Sequence, residues 1–180
     1  MRAQHQRFFH KPEEDIWGDC HRTAIAMLLD MERDAIPHFG FRCNDSEEFD
    51  RNVTDWLNTQ GFTQITVAYL AGNEDSLTDI LHSINVQNGP GLVFLLGGRS
   101  PRGEYNHTVI AGDGRILLDP HPDNTGLAGP SVQSLMYFVT FIVKKDHVRR
   151  ASLGTLQLAL PLVELSSGQD TRSVVCQPTL

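Results

Sequence analysis

Three residues of this 180-residue chain have the types and local settings that acyl chemistry needs. Cys20 follows Gly18 and Asp19 and opens a run rich in helix formers, with Asp19 in the position of an N-cap. His107 opens an apolar run after the polar loop 99–106, and Asp119 closes the next apolar run just before Pro120. A thiol attacks an acyl carbon only as the thiolate, and a helix N-terminus beside an imidazole favours that charge state through the helix dipole and ion pairing. The dipole alone supplies about 0.3–1 kcal/mol at an exposed site and at most about 2 kcal/mol when partly buried, so an imidazolium must supply more. Asp119 can then fix the imidazole tautomer and stabilise its cation.

The surrounding elements must bring these residues together. Residues 24–29 are apolar on nearly every side, which predicts a buried central helix that begins at Cys20. A second helix is predicted from Asp45 and Ser46 to Gly61, with Phe49, Val53, Trp56 and Leu57 at helical spacing. A third is predicted from Asp75 and Ser76, burying Leu77, Ile80, Leu81 and Ile84, and residues 63–69 read as a strand. The period then changes: 91–96, 107–111, 115–118 and 137–143 are short apolar runs bounded by turn residues, as strands are. Gly112, Asp113 and Gly114 join two of them in a hairpin, because Asp-Gly tolerates the positive φ of a tight turn. In such a hairpin the start of one strand lies opposite the end of the other, which makes His107 and Asp119 cross-strand neighbours. Helices first and an antiparallel sheet afterwards predict an α+β domain. Leu156, Leu158, Leu160 and Leu162 alternate and read as one more strand, confined to an edge by Pro161.

With 40% hydrophobic and 21% charged residues the chain reads as one ordinary globular domain, able to bury a core without disulfides. We expect that domain over residues 1–165 and a flexible tail over 166–180, where Ser, Gly, Gln, Asp, Thr and Pro dominate. A net charge of -7 with scattered basic residues lacks the footprint of a nucleic-acid binder. Cys20, Cys43 and Cys176 lie far apart and leave one over after any pairing, which fits a reducing cytoplasm. The N-terminus carries no signal-peptide core and no run of about 18 uncharged apolar residues occurs, so neither export nor membrane insertion is expected. Cys20, His21, His38 and Cys43 lack the spacing of a zinc site, and neither a metal nor another cofactor is expected.

Taken singly, each of the three residues has an ordinary structural reading: a packed cysteine, a hydrogen-bonded strand histidine, a turn aspartate. Their order is what argues for more. Asp19-Cys20, the apolar run 24–29, His107-Thr108-Val109-Ile110 and Leu118-Asp119-Pro120 together resemble the papain-like cysteine peptidase superfamily, and most closely the bacteriocin-processing peptidases that cut after double glycine. A group of uncharacterised bacterial and phage proteins is similar too, sharing the Gly-Asp-Cys-x-Arg start seen at Gly18–Arg22 and the Pro37-His38-Phe39 triplet. The resemblance covers about 100 residues, from Asp15 to Pro122. It implies a papain-like fold, with the nucleophile at a helix start packed on an antiparallel sheet.

The function expected is a cysteine hydrolase, a peptidase or amidase, in which Cys20 attacks, His107 serves as base and acid, and Asp119 orients the ring. The substrate would be a peptide or amide. Acyl transfer to an amine uses the same thioester, and a silent papain-like domain that binds a peptide or protein partner is the competing expectation. That competitor draws on one departure: where similar peptidases place a Gln six residues before the Cys, as a donor to the oxyanion, this chain has Glu14. The remaining candidates for the oxyanion hole or cleft are Asp19, the Cys20 backbone N–H, Arg22, Arg99 and Asn106. Trp17 and the turn-rich stretch after His121 read as core and surface loop.

Overall fold

A computed structural model describes residues 1–43, 45–71 and 76–145. Its element order is α1 (Cys20–Leu29), α2 (Ser46–Thr59), β1 (Phe62–Leu70), α3 (Leu77–Asn88), β2 (Val93–Arg99), β3 (Asn106–Gly112), β4 (Arg115–Leu118) and β5 (Met136–Lys144). The five strands form one sheet in the order β1-β5-β2-β3-β4, and every pairing is antiparallel. The chain is therefore α+β.

Alternation along the strands explains why the sheet is covered on both faces. Leu95 and Ile110 face α1 and α2, where Ala24, Ile25, Ala26, Val53 and Leu57 pack without exposure. Phe94, Leu96, Val109, Ala111 and Val139 face the opposite way, onto Ile80, Leu81 and Ile84 of α3. Helix α1 is apolar all round because it lies between the sheet on one side and Ile36, Phe39 and α2 on the other. Asp45 caps α2 by accepting the Glu48 N–H at 2.8 Å, and Ser76 and Asp79 form a capping box on α3.

The hairpin between β3 and β4 turns where expected, with Asp113 at φ 50° and Gly114 at φ 74°. Strand β2 differs from its predicted span: it starts at Val93 and runs on through Gly97 and Gly98 to Arg99. Gly98 is needed there, since a Cβ at that position would sit 2.6 Å from the Gly129 carbonyl of the segment that bridges to Arg99. The Leu156–Leu162 alternation, the 166–180 tail and the domain boundary at 165 lie outside the described residues. Among the described residues no helix is long and apolar enough to cross a membrane.

The first nineteen residues form a strap held by Asp19. This residue precedes α1, but its side chain makes no capping bond. It is instead fully buried, where Oδ1 accepts the N–H groups of Arg7 and Phe8, each at 2.9 Å, and Oδ2 meets the Arg22 guanidinium at 2.9 and 3.0 Å. Arg22 also donates to the Ile36 carbonyl at 3.1 Å. The expected N-cap is thus a buried ion pair that ties the strap to the helix start. Two backbone donors of the strap outcompete the helix N–H groups for its carboxylate.

Candidate active site

The position of Asp119 depends on an irregularity in the β3–β4 pairing. Near the turn, Gly112 lies opposite Arg115 and Ala111 opposite Ile116, but the next pair is Ile110 with Leu118, so Leu117 is an extra residue on β4. Continued by one residue, the shifted register sets Asp119 opposite Val109, on the face to which His107 belongs. Without the extra residue Asp119 would fall opposite Thr108, on the other face.

His107 Nε2 and Asp119 Oδ1 are 2.7 Å apart, and both side chains are almost completely buried. The same oxygen accepts the His121 N–H at 2.8 Å, and Oδ2 accepts the Gly126 N–H at 2.8 Å. Burial by itself would push the Asp119 carboxyl up, but these three donors hold it below the ordinary carboxylate value. With Nε2 taken, Nδ1 is the ring nitrogen left for the Cys20 thiol, which lines the same cleft. Burial would lower the His107 imidazole; its bonds to Asp119 and Cys20 reverse this and raise it to about 9. Burial likewise opposes the Cys20 thiolate, yet the His107 bond and charge and the Thr108 N–H bring the thiol below its ordinary value, against a weaker push from Asp19. The directions agree: a thiol shifted down and an imidazole shifted up both favour a thiolate–imidazolium pair.

Cys20 opens into a cleft of about 310 Å3. One wall is the strap, where His10 packs against Trp17 with ring centroids 5.4 Å apart and against Tyr105 at 4.7 Å. The other wall is the start of β3, Asn106 and His107, and the loop after β4, with His121 against Phe9 at 4.8 Å. Burial lowers both the His10 and the His121 imidazole, and Arg102 adds to the effect at His121. A partly screened, aromatic-lined slot therefore leads to the thiol.

Comparison of the chain with protein-family models, with curated proteins and with solved structures gives no match.

The structure brings together Cys20, His107 and Asp119, and it places Asn106 on the cleft wall, donating to Gln133 at 3.4 Å. The other candidates lie elsewhere. Glu14 is exposed on a short 3-10 turn, Pro12–Glu14, and bonds Lys11 Nζ at 3.0 Å, because the strap bends back on itself through the Lys11–Ile16 bridge before reaching Cys20. Asp19 and Arg22 are consumed by their own ion pair, and Arg99 packs its guanidinium beside Gly129. Trp17, expected in the core, is exposed on the cleft wall. Of the residues weighed as a zinc site, His38 Nε2 bonds the Trp17 carbonyl at 2.9 Å and Cys43 donates to the Asp45 carbonyl at 3.1 Å. Among the described residues no group of three His, Cys, Asp or Glu side chains is placed to hold a metal.

Gln6 and Arg102 are among the cleft residues that sequence reasoning missed. Gln6 is fixed by its own N–H to the Pro120 carbonyl at 2.8 Å and by Nε2 to the Phe8 carbonyl at 2.9 Å. Arg102 is held by Asp123 Oδ1 at 2.8 Å and Thr125 Oγ1 at 2.6 Å, and its Nη2 is buried without a partner among the described residues. Neither lies at a spacing from Cys20 that a motif would mark. They reach the cleft only because the strap and the two loops converge there.

Proposed function

We propose that the chain is a cysteine-dependent hydrolase of peptide or amide bonds, with a papain-like arrangement of a nucleophile at the head of a central helix against a histidine at the start of a strand. One observation carries this reading: His107, held by Asp119 at 2.7 Å, lines the same open cleft as Cys20, and each of the two side chains pulls the other toward its charged form. A packed structural cysteine does not require such a relay.

In this reaction the Cys20 thiolate adds to the acyl carbon, and the His107 imidazolium gives its Nδ1 proton to the departing amine as the C–N bond breaks. Water then adds to the thioester, the now neutral His107 takes a proton from it, and the acid leaves as the thiolate re-forms. Asp119 stays ionised and holds the ring. The oxyanion faces the first turn of α1, whose N–H groups have no intrahelical partners, and Gln6 is the carboxamide nearest in role to the glutamine expected at Glu14. Cys20 and Cys43 are both free thiols, which supports a reducing cytoplasm as the place of work.

The test is site-resolved alkylation by iodoacetamide across pH, read by peptide mapping so that Cys43 serves as internal control. Burial raises the Cys43 thiol above its ordinary value. Cys20 should alkylate well below the pH at which Cys43 does, and His107→Ala should remove that difference. A Cys20 that titrates like Cys43 in the native protein would overturn the reading.

A further inference from the structure

The cleft does not end at His107. A second cavity, of about 440 Å3, lies on the far side of the wall formed by Asn106, His107 and Gln133, between the α1–α2 layer and the sheet. Asn106, His107 and Gln133 line both spaces, so the second cavity lies one side chain away from the cleft that holds Cys20.

Most residues lining the second cavity carry polar side chains, and only His107 and Asp50 among them are charged. His21, the residue after Cys20, turns its ring away from the cleft and shares a hydrogen bond between Nδ1 and Thr108 Oγ1 at 3.2 Å. Its Nε2 is buried without a partner among the described residues, and so is the Ser134 hydroxyl. The Thr66 and Thr140 hydroxyls, also lining the cavity, satisfy each other at 2.9 Å. No Lys or Arg lines it, and its one carboxylate, Asp50, is exposed at the rim. Two orphaned buried polar atoms on residues that line one cavity are costly unless a ligand or a small side-chain movement pairs them.

We propose that this cavity is a specificity subsite for a neutral carboxamide side chain of the substrate, hydrogen-bonded to His21 Nε2 and the Ser134 hydroxyl. It rests on the reading of Cys20 and His107 as the reacting pair. A carboxamide carries both donors and an acceptor, so it complements Nε2 in either imidazole tautomer while the hydroxyl takes the remaining role. An aliphatic side chain leaves both atoms unpaired, and a site built around polar partners rejects such an analogue. A carboxylate side chain meets Asp50, and the one cation beside the cavity, His107, is already paired with Asp119. An ammonium group is drawn to Asp50 at the rim and leaves His21 and Ser134 unsatisfied. Burial holds the His21 imidazole down at about 4, so the ring is neutral when a substrate arrives.

The experiment uses the full chain, with the His21 ring observed by 1H–13C NMR during titration with the N-acetyl N-methylamides of glutamine, norleucine, glutamate and lysine. The glutamine probe should shift the His21 signal and bind at least about tenfold more tightly than the other three. Ser134→Ala should bring it close to the norleucine probe. Equal responses to all four probes, or no response to the glutamine probe, would overturn the proposal. Cys20 alkylation on the same sample separates the two readings: a reactive thiol without glutamine preference removes the subsite alone. A glutamine preference beside an ordinary thiol removes the hydrolase and leaves a carboxamide-binding pocket.

Discussion

His107 Nε2 and Asp119 Oδ1 meet at 2.7 Å because Leu117 is an extra residue on β4, which moves Asp119 to the sheet face occupied by His107. The carboxylate is then fixed by the His121 and Gly126 N–H groups, so it orients the ring rather than following it.

Replacing Asp119 separates orientation from charge. Asp119→Asn keeps the shape but loses the charge that supports the imidazolium, and we expect turnover to fall about tenfold; Asp119→Ala also frees the ring and should cost about a hundredfold. In both variants the apparent Cys20 pKa, read by alkylation, should rise, since a less stable imidazolium gives less support to the thiolate. Wild-type alkylation profiles in both would reduce Asp119 to a turn residue.

The two glutamine-position candidates have opposite expectations. Glu14→Gln should change neither stability, beyond about 0.5 kcal/mol, nor turnover, because Glu14 is exposed and bonded to Lys11. Gln6→Ala should lower kcat by about a hundredfold if its amide faces the developing oxyanion. Steady-state kinetics of the two variants on one fluorogenic amide decides between them, and a larger effect from Glu14 would place the oxyanion hole elsewhere.

Much of this arrangement was legible in the sequence. The apolar run 24–29 marks a central helix, the Asp113-Gly114 turn fixes a hairpin, and together they set Cys20, His107 and Asp119 at three element ends. The β-bulge was not legible, since Leu117 beside Leu118 looks like ordinary strand. Nor was the course of the strap: a fixed six-residue offset points to Glu14, while the Lys11–Ile16 bend and the Gln6 bond to Pro120 bring a different residue to the cleft. Asp19 looked like a cap because its alternative partners, the N–H groups of Arg7 and Phe8, are adjacent only after folding. Long-range hydrogen bonding of this kind leaves no periodic trace.

The buried Asp19–Arg22 pair should behave as a unit. Asp19→Ala strands the Arg22 guanidinium and two strap N–H groups, and should cost about 3–5 kcal/mol in a urea titration. Adding Arg22→Met to Asp19→Ala should recover part of that loss, because the orphaned charge disappears. A double variant no more stable than Asp19→Ala would show that the guanidinium finds another partner, with Asp34 Oδ1 already 3.6 Å away.

His21 makes acid stability a readout of the second cavity. Its imidazole is held at about 4 in the folded chain, against an ordinary value of 6.5, because burial penalises the charged ring. As pH falls below 6.5 the unfolded chain binds a proton that the folded chain refuses until about pH 4. The unfolded state thus holds more protons across that window, and stability must rise with pH through it. The full difference corresponds to about 3 kcal/mol lost between pH 6.5 and 4. Burial lowers His10 and His121 in the same direction, so the variant comparison carries the argument rather than the absolute slope. Urea titrations of wild type and His21→Gln from pH 4 to 7 should show a shallower rise in the variant, with the gap between the two curves closing toward acid. Parallel curves would mean that the His21 ring takes up its proton without cost, through contact with water or with Asp50. In that case the second cavity would be a solvated space, with no unsatisfied imidazole to pair with a substrate.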